Sequence, residues 1–226
     1  MKHACLIPAR SGSKGIPGKN TKIFCGRPLV YWSIAQAIDT GIFDEICVST
    51  DDPDVKDIAI HMSVKVIDRP SRIADDQTPM LSVIQHANTH MDADFITLLQ
   101  PTNPLRFRSD ILGVMDVVLA EPEDTKNLVV CSAYISSIYQ LKGYHPAGGH
   151  RRQDDEKELV SGLVYCFSSE SLYCWPEQMN VNAYLIQRWQ AHELDEIDDW
   201  DICEYLFKER VLKDAKARNN CKLPSP

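Results

Sequence analysis

The chain has 226 residues, 44% hydrophobic and 25% charged, with a formal net charge of −8. That length is enough for one large α/β domain whose core needs no disulfide or metal staple. The acid excess excludes a general nucleic-acid binder, and no apolar run approaches the roughly 20 residues needed to span a bilayer.

His3 to Pro8 reads as a short buried strand, followed by a loop rich in glycine and lysine. Pro28 opens a helix to Ile38, with Leu29, Trp32, Ile34, Ala35 and Ile38 on its apolar face and Gly41 as its stop. Glu45 to Thr50 is a second strand, and Asp51-Asp52-Pro53 supplies a cap and a proline start for a helix over 54–62. Val64 to Ile67 is a third strand. A helix over 80–91 leads to the strand Asp94–Gln100, then Ser109 caps a helix to Ala120. Leu128 to Tyr134, Leu159 to Phe167 and Tyr184 to Gln190 read as further strands. Asp198 or Asp199 opens a last helix through Arg210. The polar stretch 135–158 breaks this rhythm and reads as an inserted loop or small lid, while 213–226 reads as a frayed tail.

Strands alternating with helices of about ten residues imply a mostly parallel sheet covered on both faces. Ligands of such sheets sit beyond the carboxyl ends of the strands. The loop after the first strand, Ser49-Thr50-Asp51-Asp52 and Gln100-Pro101-Thr102-Asn103 all follow strands, so they should share one edge.

The N-terminus lacks the long apolar region and small-residue cleavage site of a signal peptide. The eight cysteines, at 5, 25, 47, 131, 166, 174, 203 and 221, include no C-x-x-C pair. Cys5, Cys47 and Cys166 lie in apolar runs and read as buried free thiols of a reducing, cytoplasmic compartment.

The charge is distributed unevenly. From Ala4 to Ile38 there is no acid but there are five bases, Arg10, Lys14, Lys19, Lys22 and Arg27. From Glu193 to Glu204 there are seven acids and no base. A local basic loop and a distant acidic cluster suit a phosphate site joined to a divalent-metal site. Gly12, Gly15 and Gly18 give the loop the tight turns and close approach that a nest of backbone amides around phosphate needs. Its spacing excludes a Walker A loop, since Ser13 and Asn20 stand at required positions with Pro17 between them, and G-x-x-G-x-x-G is not the dinucleotide fingerprint.

Ala9 to Asn20 matches, at every fixed position, the loop A-R-x-x-S-K-G-[LI]-P-x-K-N of the acylneuraminate cytidylyltransferases, the CMP-sialate synthetases. The chain resembles that family again in Val48–Asp52, Arg69-Pro70, Leu98–Arg106, Gly162–Tyr165 and Glu196-Ile197-Asp198. The resemblance spans about residues 1–210. It implies a single Rossmann-like nucleotidyltransferase domain over 1–212, with a dimerisation or lid insert over about 135–160.

The implied activity couples CTP to a 2-keto-3-deoxy sugar acid, giving CMP-sugar and pyrophosphate. By the same resemblance Arg10, Ser13 and Lys14 contact the CTP phosphates, and Lys19, Asn20 and Arg69 lie around the cytidine. Gln100, Thr102 and Tyr165 contact the sugar acid, with Arg151 reaching it from a partner subunit of a homodimer. One or two Mg²⁺ ions are implied at Asp198 and Glu196, with Asp195 as a rival ligand, and Asp198 doubles as a catalytic group. Two family positions differ, Met80 and Ser161 standing where the family has serine and asparagine. The alternatives are a 3-deoxy-octulosonate substrate and a non-catalytic nucleotide-binding protein of the same fold.

His86 and His90 have i,i+4 metal-capable spacing but no third ligand, and read as solvent-facing helix residues. Asp51 and Asp52 read as helix caps. The four tryptophans read as core or interface residues.

Overall fold

A computed structural model describes residues 1–120, 127–137, 157–174 and 178–218. The first strand, β1 (His3–Pro8), is buried along its whole length. A two-strand ribbon, β2 (Ile23–Phe24) and β3 (Arg27–Pro28), follows the glycine loop and leads into α1 (Leu29–Thr40). Pro28 itself sits at the N-cap, and Gly41 ends α1 in the left-handed conformation at φ 67°.

The next units are β4 (Glu45–Thr50), α2 (Pro53–His61), β5 (Lys65–Asp68), α3 (Met80–Asn88) and β6 (Phe95–Leu98). Then come α4 (Arg108–Ala120), β7 (Leu128–Ser137), β8 (Lys157–Ser168) and β9 (Asn180–Leu185). The described chain closes with α5 (Ile197–Leu206), a π-helical turn at Phe207–Val211 and α6 (Leu212–Ala217).

Seven strands form one sheet in the order β5-β4-β1-β6-β8-β7-β9. All pairs are parallel except those of β8, which runs against both β6 and β7. Parallel neighbours need crossover connections, and α1, α2 and α3 supply them in the first half. One face of the sheet packs Cys5, Ile7, Val48 and Val164 against α1, α2 and α4. The other packs Leu6, Ile67 and Leu98 against Ile84 and Ala87 of α3.

A third cluster lies under the glycine loop. Ile16 of the loop packs there with Trp32, Leu105, Leu194, Trp200 and Phe207. Phe24 meets the rings of Trp200 and Phe207 edge to face, at centroid distances of 5.6 and 5.3 Å, a geometry aromatic quadrupoles favour. This cluster fixes α5 against the loop.

Several elements differ from the sequence reading. The expected insertion begins and ends as sheet: β7 runs on to Ser137 and β8 starts at Lys157, and residues 138–156 lie outside the described residues. Tyr184 to Gln190 is not one strand. β9 covers Asn180–Leu185, and Arg188–Ala191 is a 3₁₀ turn closed by a capping box between Gln187 and Gln190. Ser109 lies inside α4, which starts at Arg108, and the Asp110 carboxylate in its first turn accepts the Phe107 N–H at 2.7 Å. The last helix is capped by Glu196, and helix continues to Ala217, so residues 213–217 belong to the fold.

Among the described residues seven cysteines are free thiols, and Cys5, Cys47 and Cys166 are buried as expected. Trp32 and Trp200 are core residues. Trp175 and Cys221 lie outside the described residues. Among those described, no helix is long and apolar enough to cross a membrane.

Candidate active site

Because β1, β4 and β6 are adjacent and parallel, the loops after them emerge at one edge, as the sequence implied. The loop after β1 is held from three sides. Ser11 donates its N–H and its hydroxyl to the two oxygens of Asp51 at 2.8 and 2.5 Å. The Asn20 amide donates to the Arg10 carbonyl at 2.9 Å, closing the loop across its neck. Ile16 anchors its middle in the aromatic cluster. Gly12 and Gly18 both take φ 62°, a region open to glycine at no steric cost.

Asp51 therefore clamps the loop, and only Asp52 caps α2, accepting the Asp54 N–H at 2.9 Å. Burial would raise the Asp51 carboxyl, but the bonds from Ser11 outweigh it and hold it below its ordinary range. Nothing in the local sequence separates the two aspartates; the pairing becomes visible only when β1 and β4 are neighbours.

The cationic residues take different stations. Arg10 lies over its own loop, donating to the Gly12 carbonyl at 3.0 Å. Ser13 is half-buried on the same loop. Lys14 stands out from it with its side chain 76% exposed, and pairs with Asp76. Arg69 is buried and donates to the Ser49 carbonyl at 2.8 Å and the Ser49 hydroxyl at 3.2 Å. Burial pushes its guanidinium down to about 10, so it still carries its charge at neutral pH.

Lys19 turns inward. Its buried ammonium donates to the Leu194 carbonyl at 2.5 Å and lies 3.9 Å from the Asp195 carboxylate. Burial lowers its pKa, with Asp195 and Asp199 opposing that shift.

The acidic segment reaches the loop directly. Gly15 is not one of the positive-φ glycines. A Cβ there would sit 2.3 Å from the Asp195 carbonyl oxygen, so glycine is required for contact between two stretches of backbone. Glu196 and Asp199 form a capping box at the start of α5, and Asp199 accepts the N–H groups of Asp195 and Glu196 at 3.0 and 2.8 Å. Those amides hold the Asp199 carboxyl below its ordinary range. Asp198 is exposed.

Among the described residues no group of three histidine, cysteine or acidic side chains converges into a metal cage. Magnesium does not require one, since it is commonly held by one or two carboxylates together with substrate phosphates and water. Asp198 and Glu196, hard oxygen donors on the segment that touches the loop after β1, fit that chemistry. Asp195 is drawn toward Lys19 instead. His86 and His90 do not form a chelating pair. His90 lies past the end of α3, and its Nδ1 meets the His86 carbonyl at 3.0 Å.

On the loop after β6, Gln100 is half-buried and the Thr102 carbonyl accepts the Leu194 N–H at 2.8 Å. Tyr165 on β8 stands opposite Leu98, two residues before Gln100, on the face that carries α3. Arg151 lies outside the described residues. Arg106 was not singled out by the sequence and is fully buried. Its guanidinium donates to the Gln100 carbonyl, the Ser33 hydroxyl and the Gln36 amide oxygen at 2.9, 2.7 and 3.1–3.2 Å. A groove of about 620 Å³ between α1 and α2, lined in part by Arg27, Tyr31 and His61, shares no residue with these loops.

A parallel-strand edge that joins a cationic glycine loop to an acidic helix start defines an α/β protein of the nucleotidyltransferase class. A family model described as cytidylyltransferase matches residues 4–159, and the chain belongs to that family. An N-acylneuraminate cytidylyltransferase of Streptococcus agalactiae serotype III (strain NEM316) is 32% identical over 231 residues, covering 96% of this chain and 56% of that protein. A pseudaminic acid cytidylyltransferase of Campylobacter jejuni subsp. jejuni serotype O:2 is 38% identical over 118 residues, half of each chain. The chain thus spans about half the length of these curated relatives. Its fold is that of a solved CMP:2-keto-3-deoxy-manno-octonic acid synthetase complexed with CTP. That structure matches with a TM-score of 0.72 at 17% identity, over 92% of this chain and 99% of the other.

Proposed function

We propose that this chain transfers the cytidylyl group of CTP to the anomeric hydroxyl of a 2-keto-3-deoxy sugar acid of the nine-carbon, sialic or pseudaminic type, releasing pyrophosphate. The observation that carries the reading is the Gly15–Asp195 contact. It brings a phosphate-gripping loop and a carboxylate pair to one place, as attack on a nucleotide α-phosphorus requires. The names of the relatives support the substrate class.

In this reading Arg10, Ser13 and Lys14 bind the triphosphate. Lys14, exposed and held only by a surface pair, exchanges Asp76 for phosphate. Arg69 and Asn20 border the cytidine, while Gln100, Thr102 and Tyr165 orient the acid, with Arg151 of a second subunit completing the pocket. Such transfers depend on positioning and charge neutralisation rather than covalent catalysis. Asp198 and Glu196 would hold Mg²⁺, which supplies charge neutralisation at the phosphates when bound.

The same reading has the enzyme working as a homodimer in the cytoplasm. Ile135 and Leu159, paired across β7 and β8, are both exposed apolar residues at the edges of the expected interface segment, and the buried free thiols suit a reducing compartment. Sedimentation of the purified chain tests the dimer, and a monomer at working concentration would count against it. The function is tested by pyrophosphate release from CTP with a panel of nine-carbon and eight-carbon sugar acids. Release is expected with at least one nine-carbon acid and none with CTP alone; silence across the panel would leave a non-catalytic nucleotide binder.

A further inference from the structure

The loop after β1 is pinned near its start by a carboxylate from the next loop along the sheet edge. Asp51 accepts the Ser11 N–H on one oxygen at 2.8 Å and the Ser11 hydroxyl on the other at 2.5 Å. Ser11 stands at a variable position of the pattern A-R-x-x-S-K-G, so the resemblance assigns it no role. Asp51 is itself held firmly. Thr50 before it ends β4 and is fully buried, and its hydroxyl accepts the Asp52 N–H at 3.0 Å. Asp52 then caps α2. The carboxylate therefore stands at the junction of a strand and a helix, while the loop it holds belongs to neither. Beyond the pin, the backbone N–H groups of Gly12, Ser13 and Lys14 have no acceptor among the described residues.

The two sides of the contact match chemically. Ser11 offers two donors, and an ionised carboxylate offers an acceptor to each, which a side-chain amide does not. Hydrogen bonds to an ionised acceptor are also stronger than neutral ones. A loop without the pin would have to be ordered by its ligand, at the expense of affinity.

We propose that Asp51 and Ser11 are positioning residues for the triphosphate of CTP. The doubly bonded pair fixes the start of the loop after β1, so that Ser13, Lys14 and the unpaired amides meet the phosphates preorganised. Neither Asp51 nor Ser11 touches the nucleotide. The proposal rests on the reading of this sheet edge as a CTP site.

A double-mutant cycle tests it, with the CTP dissociation constant measured by calorimetry on the full chain at saturating Mg²⁺. Ser11→Ala and Asp51→Asn should each weaken CTP about 10-fold, as loss of a hydrogen bond to a charged group does. The double variant should bind within about twofold of the weaker single one, because both changes remove one interaction. Ser11→Thr keeps both donors and should bind within about twofold of the parent. Ser11 is half-buried and its alanine variant loses a single oxygen, so Ser11→Ala against Ser11→Thr decides the matter even where Asp51→Asn does not fold. Melting curves without ligand are recorded for every variant.

A pin that serves the fold alone would lower the melting temperature and leave the affinity of the folded chain unchanged, and that result overturns the proposal. Additive losses, or a loss with Asp51→Asn but none with Ser11→Ala, would mean that Asp51 meets the nucleotide or its metal directly, and overturn it equally. A parent that binds no CTP would overturn the reading of the site and this inference together. A cycle that behaves as expected beside a silent sugar-acid panel would overturn only the proposed reaction.

Discussion

The loops after β1 and β6 leave neighbouring parallel strands at the same edge, and each carries arginine, yet their arginines have opposite tasks. Arg10 spreads over its own loop at the surface, where a ligand can reach it. Arg106 is fully buried, with its donors spent on Ser33, Gln36 and the Gln100 carbonyl. It ties the loop after β6 to α1, and through that loop holds Gln100 and Thr102. One loop leaves its charge at the surface; the other uses charge to hold backbone in place. The difference comes from burial, because a guanidinium removed from water must satisfy its donors internally or destabilise the fold.

The largest expected effect lies on the first loop. Lys14→Ala should lower kcat for pyrophosphate release by ~10²–10³, the loss seen when one preorganised donor to transition-state charge is removed. Near-normal release would remove Lys14 from the machinery. On the second loop the cost should appear in stability. Arg106→Met should destabilise by about 3 kcal/mol, since it leaves buried acceptors without their charged donor. For a chain of this size that lowers Tm by roughly 6–12 °C. Arg10→Met should leave the melting temperature nearly unchanged and weaken CTP binding instead. A reversal of that pattern between Arg10 and Arg106 would break the comparison.

A smaller effect concerns Asp110, beneath the second loop, which accepts from Phe107 N–H and from the Gln190 amide at 2.6 Å. Burial pushes its carboxyl up to about 6. The folded chain then holds a proton that the unfolded chain loses near pH 4. This group's contribution to stability is therefore full below pH 4 and falls as pH rises to about 6. Asp110→Asn should flatten the fall in that window, read as the difference between parent and variant melting curves. A difference independent of pH from 4 to 7 would contradict the assignment. The smallest effect is expected at the Lys14–Asp76 pair. It is exposed on the lysine side, so Asp76→Asn should leave the melting temperature nearly unchanged. That is consistent with a lysine able to leave for phosphate.

The fold was largely legible because its first half alternates strands and helices with ordinary punctuation. Asp52-Pro53 starts α2 and Gly41 ends α1 where the sequence placed them. It failed where tertiary pairing decides. Residues Ser136-Ser137 and Lys157-Glu158 have no apolar alternation, but β7 and β8 hold them in register as partners. Gln187 ends the run from Tyr184 by turning back onto Gln190, a local bond that competes with strand.

At the site, the glycines and bases were visible, but their roles divided unexpectedly. Gly15 serves a contact with a segment 180 residues away in sequence, and Lys19 serves the same segment. Arg106, between Leu105 and Phe107, carries no local mark of burial. Such roles belong to neighbours in space, which periodicity and spacing do not encode.

Isotopic labelling follows the proposed transfer of the α-phosphorus of CTP to a sugar acid. With CTP labelled at the α-phosphate and a nine-carbon sugar acid, the label should appear in the sugar product. With CTP labelled at the γ-phosphate, it should appear only in pyrophosphate. Label from the γ-position on the sugar, or as inorganic phosphate released directly, would rule out cytidylyl transfer and place the chain among phosphotransferases or hydrolases.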